Sequence, residues 1–175
     1  MTVRPATLED AAAIAEIHVR SWQEGYRGLL PDELLDGLSV ERRRSDWETW
    51  LGPDGESVLA LVAEDDAGSV GGFCALAASS RDEDAPTAAE ITALYVEPAR
   101  WRTGTATALL GDALERLRQE GRTEVIAWVI DGNTPALAAY ARLGFAPDGA
   151  AKREPVASLP REESPRQVRL RARLA

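Results

Sequence analysis

The chain contains a single cysteine, Cys74, and a single histidine, His18. One thiol excludes an internal disulfide framework. One thiol with one imidazole is too few ligands for a tetrahedral zinc site. The longest apolar runs, such as Val125–Ile130, are far too short to span a bilayer. The opening stretch MTVRPATLED has no apolar segment after its charges, so no secretory leader is expected. Positive charge is also scarce: 20 basic residues stand against 29 acidic ones, a net charge of −9. That balance argues against a nucleic-acid or anionic-membrane partner. Lys152 is the sole lysine beside many arginines, which reflects the base composition of the source genome more than chemistry. A soluble cytoplasmic protein without metal is expected.

A length of 175 residues and an apolar fraction of 45% suit one α/β domain with a real core, over residues 1–175. The charge is uneven. Residues 152–175 carry seven basic and three acidic side chains, so the acidity lies before them. This basic end reads as a solvated edge strand.

The hydropathy pattern predicts a strand over Val3–Ala6 and then a helix capped by Thr7 with Asp10 three residues on. Gly25, Gly28 and Pro31 break that helix. A second helical region follows, over Asp32–Leu38 and then Val40–Leu51, and Gly52-Pro53-Asp54-Gly55 marks a turn. Ser57–Glu64 and Ser69–Ser79 read as strands joined by an Asp65–Gly68 hairpin turn. A polar acidic loop, Ser80–Thr87, leads to a strand over Ala88–Val96. From Thr105 to about Glu120, Ala106, Leu109, Leu110, Ala113, Leu114 and Leu117 form one helical stripe, closed by Gly121. Glu124–Ile130 is a nearly continuous apolar strand, as in a strand covered on both faces. Thr134 and Pro135 start a short helix that stops at Gly144. A strand from Phe145 and an alternating strand over Arg166–Leu174 complete the chain. The order is β-α-α-β-β-β-α-β-α-β-β. One right-handed crossover, from Ala88 to Ile130, makes its two strands parallel.

The loop Trp101-Arg102-Thr103-Gly104-Thr105-Ala106 stands between a buried strand and an amphipathic helix. Such a loop is an anion cradle, because free N–H groups and the positive helix end face it. It lacks both the three-glycine dinucleotide spacing and the Gly-Lys-Ser/Thr of a triphosphate loop. Arg102 adds a cation, and Thr103 and Thr105 add hydroxyls, which together describe a place for a diphosphate. A second constellation is Asn133…Ala136…Tyr140…Arg142…Gly144-Phe145. Ala136 and Tyr140 share a helix face, and Asn133 ends the parallel partner strand at the same sheet end as the loop.

Three stretches carry a resemblance: EITALYVEP at 90–98, RTGTA at 102–106 and NTPALAAYARLGF at 133–145. The chain resembles the GNAT superfamily of acetyl-CoA-dependent N-acetyltransferases, with the core match over residues 88–146. The family usually has Gln or Arg where Trp101 stands, and often Gly in place of Arg102 and Ala106. The resemblance implies a single α/β (α+β) domain. Its mixed, mostly antiparallel twisted sheet would have two central splayed parallel strands flanked by helices. It implies acetyl-CoA as acetyl donor, with the pantetheine arm in the gap against Leu94, Tyr95 and Val96. The pyrophosphate would lie on Arg102, Thr103, Gly104, Thr105 and Ala106. Asn133 would contact the cofactor, and Tyr140 would sit near the sulfur.

The chemistry sets its own requirements. A lysine-like amine, with a pKa of about 10.4, needs about 4–5 kcal/mol to lose its proton at pH 7. Glu90, at the start of the strand that delivers the thioester, is the candidate base. Tyr140 is the candidate proton donor to the leaving thiolate. Trp22 and Tyr26 fall where the family often forms the acceptor wall, with Arg27 beside them. Asp82, Glu83 and Asp84 form an acidic loop, either solvated or attracting a cationic acceptor. Cys74 reads as core packing and His18 as structural. The leading expectation is transfer to a primary amine of a small molecule. A protein N-terminal or lysine acetyltransferase and a non-catalytic acyl-CoA sensor stay open, as does a homodimer. A nucleotide-binding protein fits least.

Overall fold

The strands pair into one mixed sheet whose order differs from the chain order. The computed structural model describes residues 1–53 and 59–174. In it, β1 (Thr2–Pro5), β2 (Leu59–Glu64), β3 (Val70–Ala77) and β4 (Ala89–Val96) form an antiparallel half-sheet. The other half holds β5 (Glu124–Ile130), β6 (Ala146–Lys152) and β7 (Gln167–Arg173), with β7 between β5 and β6. The parallel β4–β5 pair joins the halves. The Gly52–Gly55 turn and the start of the second predicted strand fall partly on Asp54, Gly55 and Ser57, outside the described residues.

The basic C-terminal strand is therefore not the edge. β7 pairs with β5 along its whole length, and β6 takes the rim. The reason is Arg169, 4% exposed at the centre of β7. Its guanidinium meets Asp84 Oδ1 at 2.6 Å, Asp82 Oδ2 at 3.1 Å and Asp148 Oδ2 at 2.8 Å. Asp148 sits where the β6–β7 register shifts. Asp82 and Asp84 are thus tied to the sheet. The acidic loop they belong to packs Ala85 and Ala88 on Ile126 of β5.

Among the described residues, five α-helices flank the sheet: α1 (Ala11–Gly25), α2 (Asp32–Asp36), α3 (Val40–Leu51), α4 (Thr105–Gln119) and α5 (Thr134–Ala141). On one face, Leu109, Leu110, Ala113, Leu114 and Leu117 of α4 pack with Leu61, Cys74, Ile91 and Val125. Each such leucine contributes about 2 kcal/mol through burial. Gly121 ends α4 at φ 75°, with its N–H on Arg118 O and that of Arg122 on Leu117 O, a Schellman closure. On the opposite face, Ile14 and Ile17 of α1 and Trp47 of α3 pack with Val62 and Phe73. α1 begins after a 3₁₀ turn, Leu8–Asp10. The Asp10 carboxylate there accepts the Thr7 N–H at 2.8 Å and two Arg4 N–H groups.

Candidate functional site

Two breaks in regular pairing coincide at one end of the sheet. The first is between β4 and β5. They pair only through Ala89–Ile91 and Val125–Ala127, although both strands run on to Val96 and Ile130. Their outer neighbours β3 and β7 stay attached, so a wedge opens inside the sheet. At its root the β3–β4 register shifts between Ala75 and Leu76, which leaves Thr92 as a bulge residue. Ala89 and Ile91 face the α4 side, while Ala93 and Tyr95 face the α1 side.

The register identifies which backbone groups face the wedge. Glu97 N–H donates to Gly71 O at 2.9 Å. Bonded residues alternate along an antiparallel pair, so Tyr95 bonds to β3 while Leu94 and Val96 turn their N–H and C=O toward the wedge. Of the three predicted residues, Tyr95 therefore offers its side chain and not its backbone. The Val96 carbonyl is already held twice, by Ser21 Oγ at 2.9 Å and Trp101 Nε1 at 2.8 Å.

The second break is the loop before α4. Gly104 is the N-cap at φ 90°, and the first helical bond runs from Ala108 N–H to its carbonyl. Among the described residues, no N–H from Arg102 to Thr107 donates to another backbone group. A Cβ on Gly104 would meet nothing within 4 Å, so the cradle is open there. Arg102 also has positive φ, 63°, where a side chain is strained. The threonine hydroxyls are turned inward: Thr103 Oγ1 donates to Arg100 O at 2.7 Å and lies 2.9 Å from Thr105 Oγ1. Each hydroxyl has one proton, so Thr105 donates to Thr103 and the pair clamps the loop. The grip offered to an anion is thus amides, helix dipole and the Arg102 charge.

Across the wedge, Asn133 caps α5: its Oδ1 accepts the Ala136 N–H at 3.3 Å, leaving its amide NH₂ as a donor. Tyr140, 6% exposed, packs on Phe145 with ring centroids 5.1 Å apart. Among the described residues its hydroxyl has no hydrogen-bond partner. Burial, with Cys74 and Tyr95 nearby, holds its pKa well above the usual tyrosine range, so it stays protonated. Burial also pushes the Cys74 thiol up to about 12, which fits core packing and not a nucleophile.

Glu90 stands on the paired stem of the wedge, opposite Ile126. Burial raises its pKa, and Asp82 adds to the rise while Lys152 opposes it. A carboxylate held up in this way is a stronger base. Glu90 lies on the face away from α4, since its neighbours Ala89 and Ile91 face α4. Tyr95 lies on that face too, and its hydroxyl is 3.2 Å from that of Tyr26, the residue after α1. Trp22 packs edge-on to Tyr26 with ring centroids 5.1 Å apart. Its Nε1 is the sole buried side-chain nitrogen or oxygen without a partner among the described residues. Arg27 is occupied instead with Asp32 and Asp36.

Beyond Trp22 a cavity of about 910 Å³ lies between α1, α2, α3 and the β6–β7 connection. His18, Leu34, Leu38, Arg43 and Leu159 are among its lining residues.

Residues 12–145 match the acetyltransferase (GNAT) family. The chain belongs to that family. It is 34% identical over 141 residues to the uncharacterized N-acetyltransferase YuaI of Bacillus subtilis (strain 168), covering 80% of this chain and 77% of that protein. It is also 34% identical over 98 residues to the mycothiol acetyltransferase of Kocuria rhizophila, covering 56% of this chain and 32% of that longer protein. Among solved structures, the PaiA N-acetyltransferase of Thermoplasma acidophilum in complex with coenzyme A superposes with a TM-score of 0.73 at 20% identity, covering 99% of both chains. The yncA protein of Salmonella typhimurium with its cofactor acetyl-CoA gives 0.71 at 21% identity, covering 100% of this chain and 94% of that one. At these identities the structural matches establish the shared fold.

Within this GNAT domain the predicted residues gather around the wedge from both sides. Tyr140, Asn133 and the loop lie on the α4–α5 side, and Glu90, Tyr95, Tyr26 and Trp22 on the other. Sequence reasoning missed Ser21, which holds the Val96 carbonyl, and Arg43, which lines the cavity. Ser21 precedes the predicted Trp22, but nothing marks a helical serine as a bond to a strand 75 residues away. Arg43 is the middle of an Arg42–Arg44 run, which reads as a solvated helix face. His18 turns out to line the cavity. No group of three or more His, Cys, Asp or Glu arranged to hold a metal occurs among the described residues.

Proposed function

We propose that this protein transfers an acetyl group from acetyl-CoA to the primary amine of a small molecule. The observation that carries the reading is the wedge between β4 and β5, with unpaired strand edges, opening beside a loop of free amides. These residues fit coenzyme A. Leu94 N–H and C=O and Val96 N–H would pair with an amide-bearing arm as a neighbouring strand does. The free N–H groups of Arg102–Ala106 and the Arg102 charge suit a diphosphate, and a Cβ-free Gly104 leaves room for it. The Asn133 amide would donate to the arm from the far side.

When bound, acetyl-CoA supplies an activated acetyl thioester. The protein's own residues supply proton management. Glu90 would take the proton from the acceptor ammonium, directly or through a water, because its raised pKa makes it a stronger base than an ordinary glutamate. The Tyr140 hydroxyl, protonated and lacking a protein partner, would hold a proton for the leaving sulfur. Tyr26, Tyr95 and Trp22 would exclude water from the acceptor side. A cavity of about 910 Å³ is of small-molecule size, and the match to mycothiol acetyltransferase supports a small acceptor.

The test has two parts. Acetyl-CoA should raise the melting temperature of the protein, and NAD and ATP should not. A panel of small amines and peptides should then yield at least one small amine gaining the mass of one acetyl group with release of coenzyme A. Stabilisation without transfer to any amine would favour a sensor. Transfer to peptides alone would overturn the small-molecule reading.

A further inference from the structure

The cavity behind Trp22 has one unusual wall. His18 is 8% exposed and is the sole histidine of the chain. Its Nδ1 accepts the indole N–H of Trp47 at 3.3 Å, which fixes the tautomer. The proton is therefore on Nε2, and Nε2 is a donor. No protein group accepts that N–H among the described residues. Nor is Nε2 among the sealed, partnerless atoms, so it reaches the cavity that His18 lines. The imidazole is stacked on Tyr95, with ring centroids 4.9 Å apart and planes at 22°, which holds the ring still.

Arg43 lines the same cavity and carries its half-buried cation toward His18. Its Nη1 touches Asp46 Oδ2 at 3.4 Å, a long single contact. The rest of the guanidinium has no carboxylate partner among the described residues. Arg42, also lining the cavity, has none within 4.0 Å among them. The other acidic lining residues, Glu33 and Glu163, are exposed at the rim. Leu34, Leu38 and Leu159 close the walls. The interior thus presents a locked imidazole N–H and guanidinium N–H groups, and Asp46 as its one inner carboxylate. A cationic or purely apolar occupant would leave those donors unmet, at the cost that buried unpaired donors carry.

We infer that this cavity selects acceptors carrying a carboxylate, held by Arg43 and His18 Nε2, so that the substrate class is small amino acids with an apolar body. The inference rests on the proposed function, since it names the acceptor of that reaction. Arg43 and His18 act as specificity residues, touching the acceptor and not the acetyl donor.

The experiment compares apolar amino acids with their amides and with the corresponding decarboxylated amines. Binding is read on protein loaded with coenzyme A, through the imidazole NMR signals of His18, which a lone histidine makes unambiguous, and by calorimetry. Turnover with acetyl-CoA is the second readout. The carboxylate form should bind about 10- to 100-fold more tightly than its amide, the range of a charge-assisted hydrogen bond, and should shift the Nε2–H signal. Arg43→Met should remove that preference and leave coenzyme A affinity unchanged, and Arg43→Lys should restore part of the preference. Equal binding of the three forms, a preference for the decarboxylated amine, or equal loss for all three in Arg43→Met would overturn the inference. If acetyl-CoA itself fails to bind, it is the proposed function that fails, and the His18 titration with amino acids still decides the cavity.

Discussion

The indole N–H of Trp101 donates to the carbonyl of Val96 at 2.8 Å. This side chain stands where the family usually has Gln or Arg, yet it turns back from the cradle. It closes the end of β4, and a Cβ added on Gly25 of α1 would lie in van der Waals contact with its ring. Trp101→Gln should therefore lower stability by about 1 kcal/mol, the value of one hydrogen bond with partial ring burial. Affinity for coenzyme A should change less than about threefold. Denaturant unfolding and calorimetry check both, and a large loss of affinity would mean that Trp101 touches the donor.

Gly104 and Arg102 separate shape from charge in the cradle. Gly104→Glu places bulk and negative charge in it at a positive φ, so acetyl-CoA binding should disappear. Arg102→Gly relieves a strained backbone and removes the cation. Stability should hold within about 1 kcal/mol while affinity falls about tenfold. Unchanged affinity in the Gly104→Glu variant would undo the cradle.

Glu90 predicts a pH limb. Its pKa is raised by burial, so kcat/KM should climb as pH rises through a value above that of an ordinary glutamate. Glu90→Gln should lose the limb and about 100-fold in rate, and Tyr140→Phe should lower turnover more than donor affinity. A rate profile unchanged in Glu90→Gln would show that water alone takes the proton.

His18 predicts acid sensitivity. Burial, with Arg43 nearby, lowers its pKa from 6.5 to about 3. The unfolded chain then binds the extra proton first, so stability is complete above about pH 6.5 and falls by about 1.4 kcal/mol per pH unit well below it. Chemical denaturation between pH 7 and 4 should show a shallower acid slope in His18→Gln, though its absolute stability drops with the lost ring packing.

Arg169→Met should be the most damaging of these substitutions, by about 3–5 kcal/mol, because it leaves Asp82, Asp84 and Asp148 facing one another without their cation. Melting curves in low and high salt check this: salt should recover part of the loss, since Asp84 is solvent-exposed.

The α4 stripe, the β5 apolar run, the anion loop and the Asn133–Tyr140 spacing are legible in the sequence because each is a local pattern. The edge placement expected of the last strand fails for a physical reason. Alternation gives which residues of β7 face inward, but Arg169 is buried by partners 85 and 87 residues away in the chain. The same holds for Ser21 on Val96 and for Arg43 beside His18. The loop threonines read as donors to a ligand, but the turn uses their protons itself. The cavity proposed for the acceptor is built by residues of α1, α3 and the β6–β7 connection, which no local window contains.

The short β4–β5 pairing has a mechanical consequence. Among the described residues, three residue pairs are the only sheet pairing between two half-sheets that are otherwise internally complete. A ligand arm lying in the wedge would act as an eighth strand shared by both, turning a hinge into a continuous ribbon. Donor binding and rigidity then rise together, and slowed deuterium uptake at the Leu94 and Val96 amides would report the ribbon's completion before any acetyl group moves.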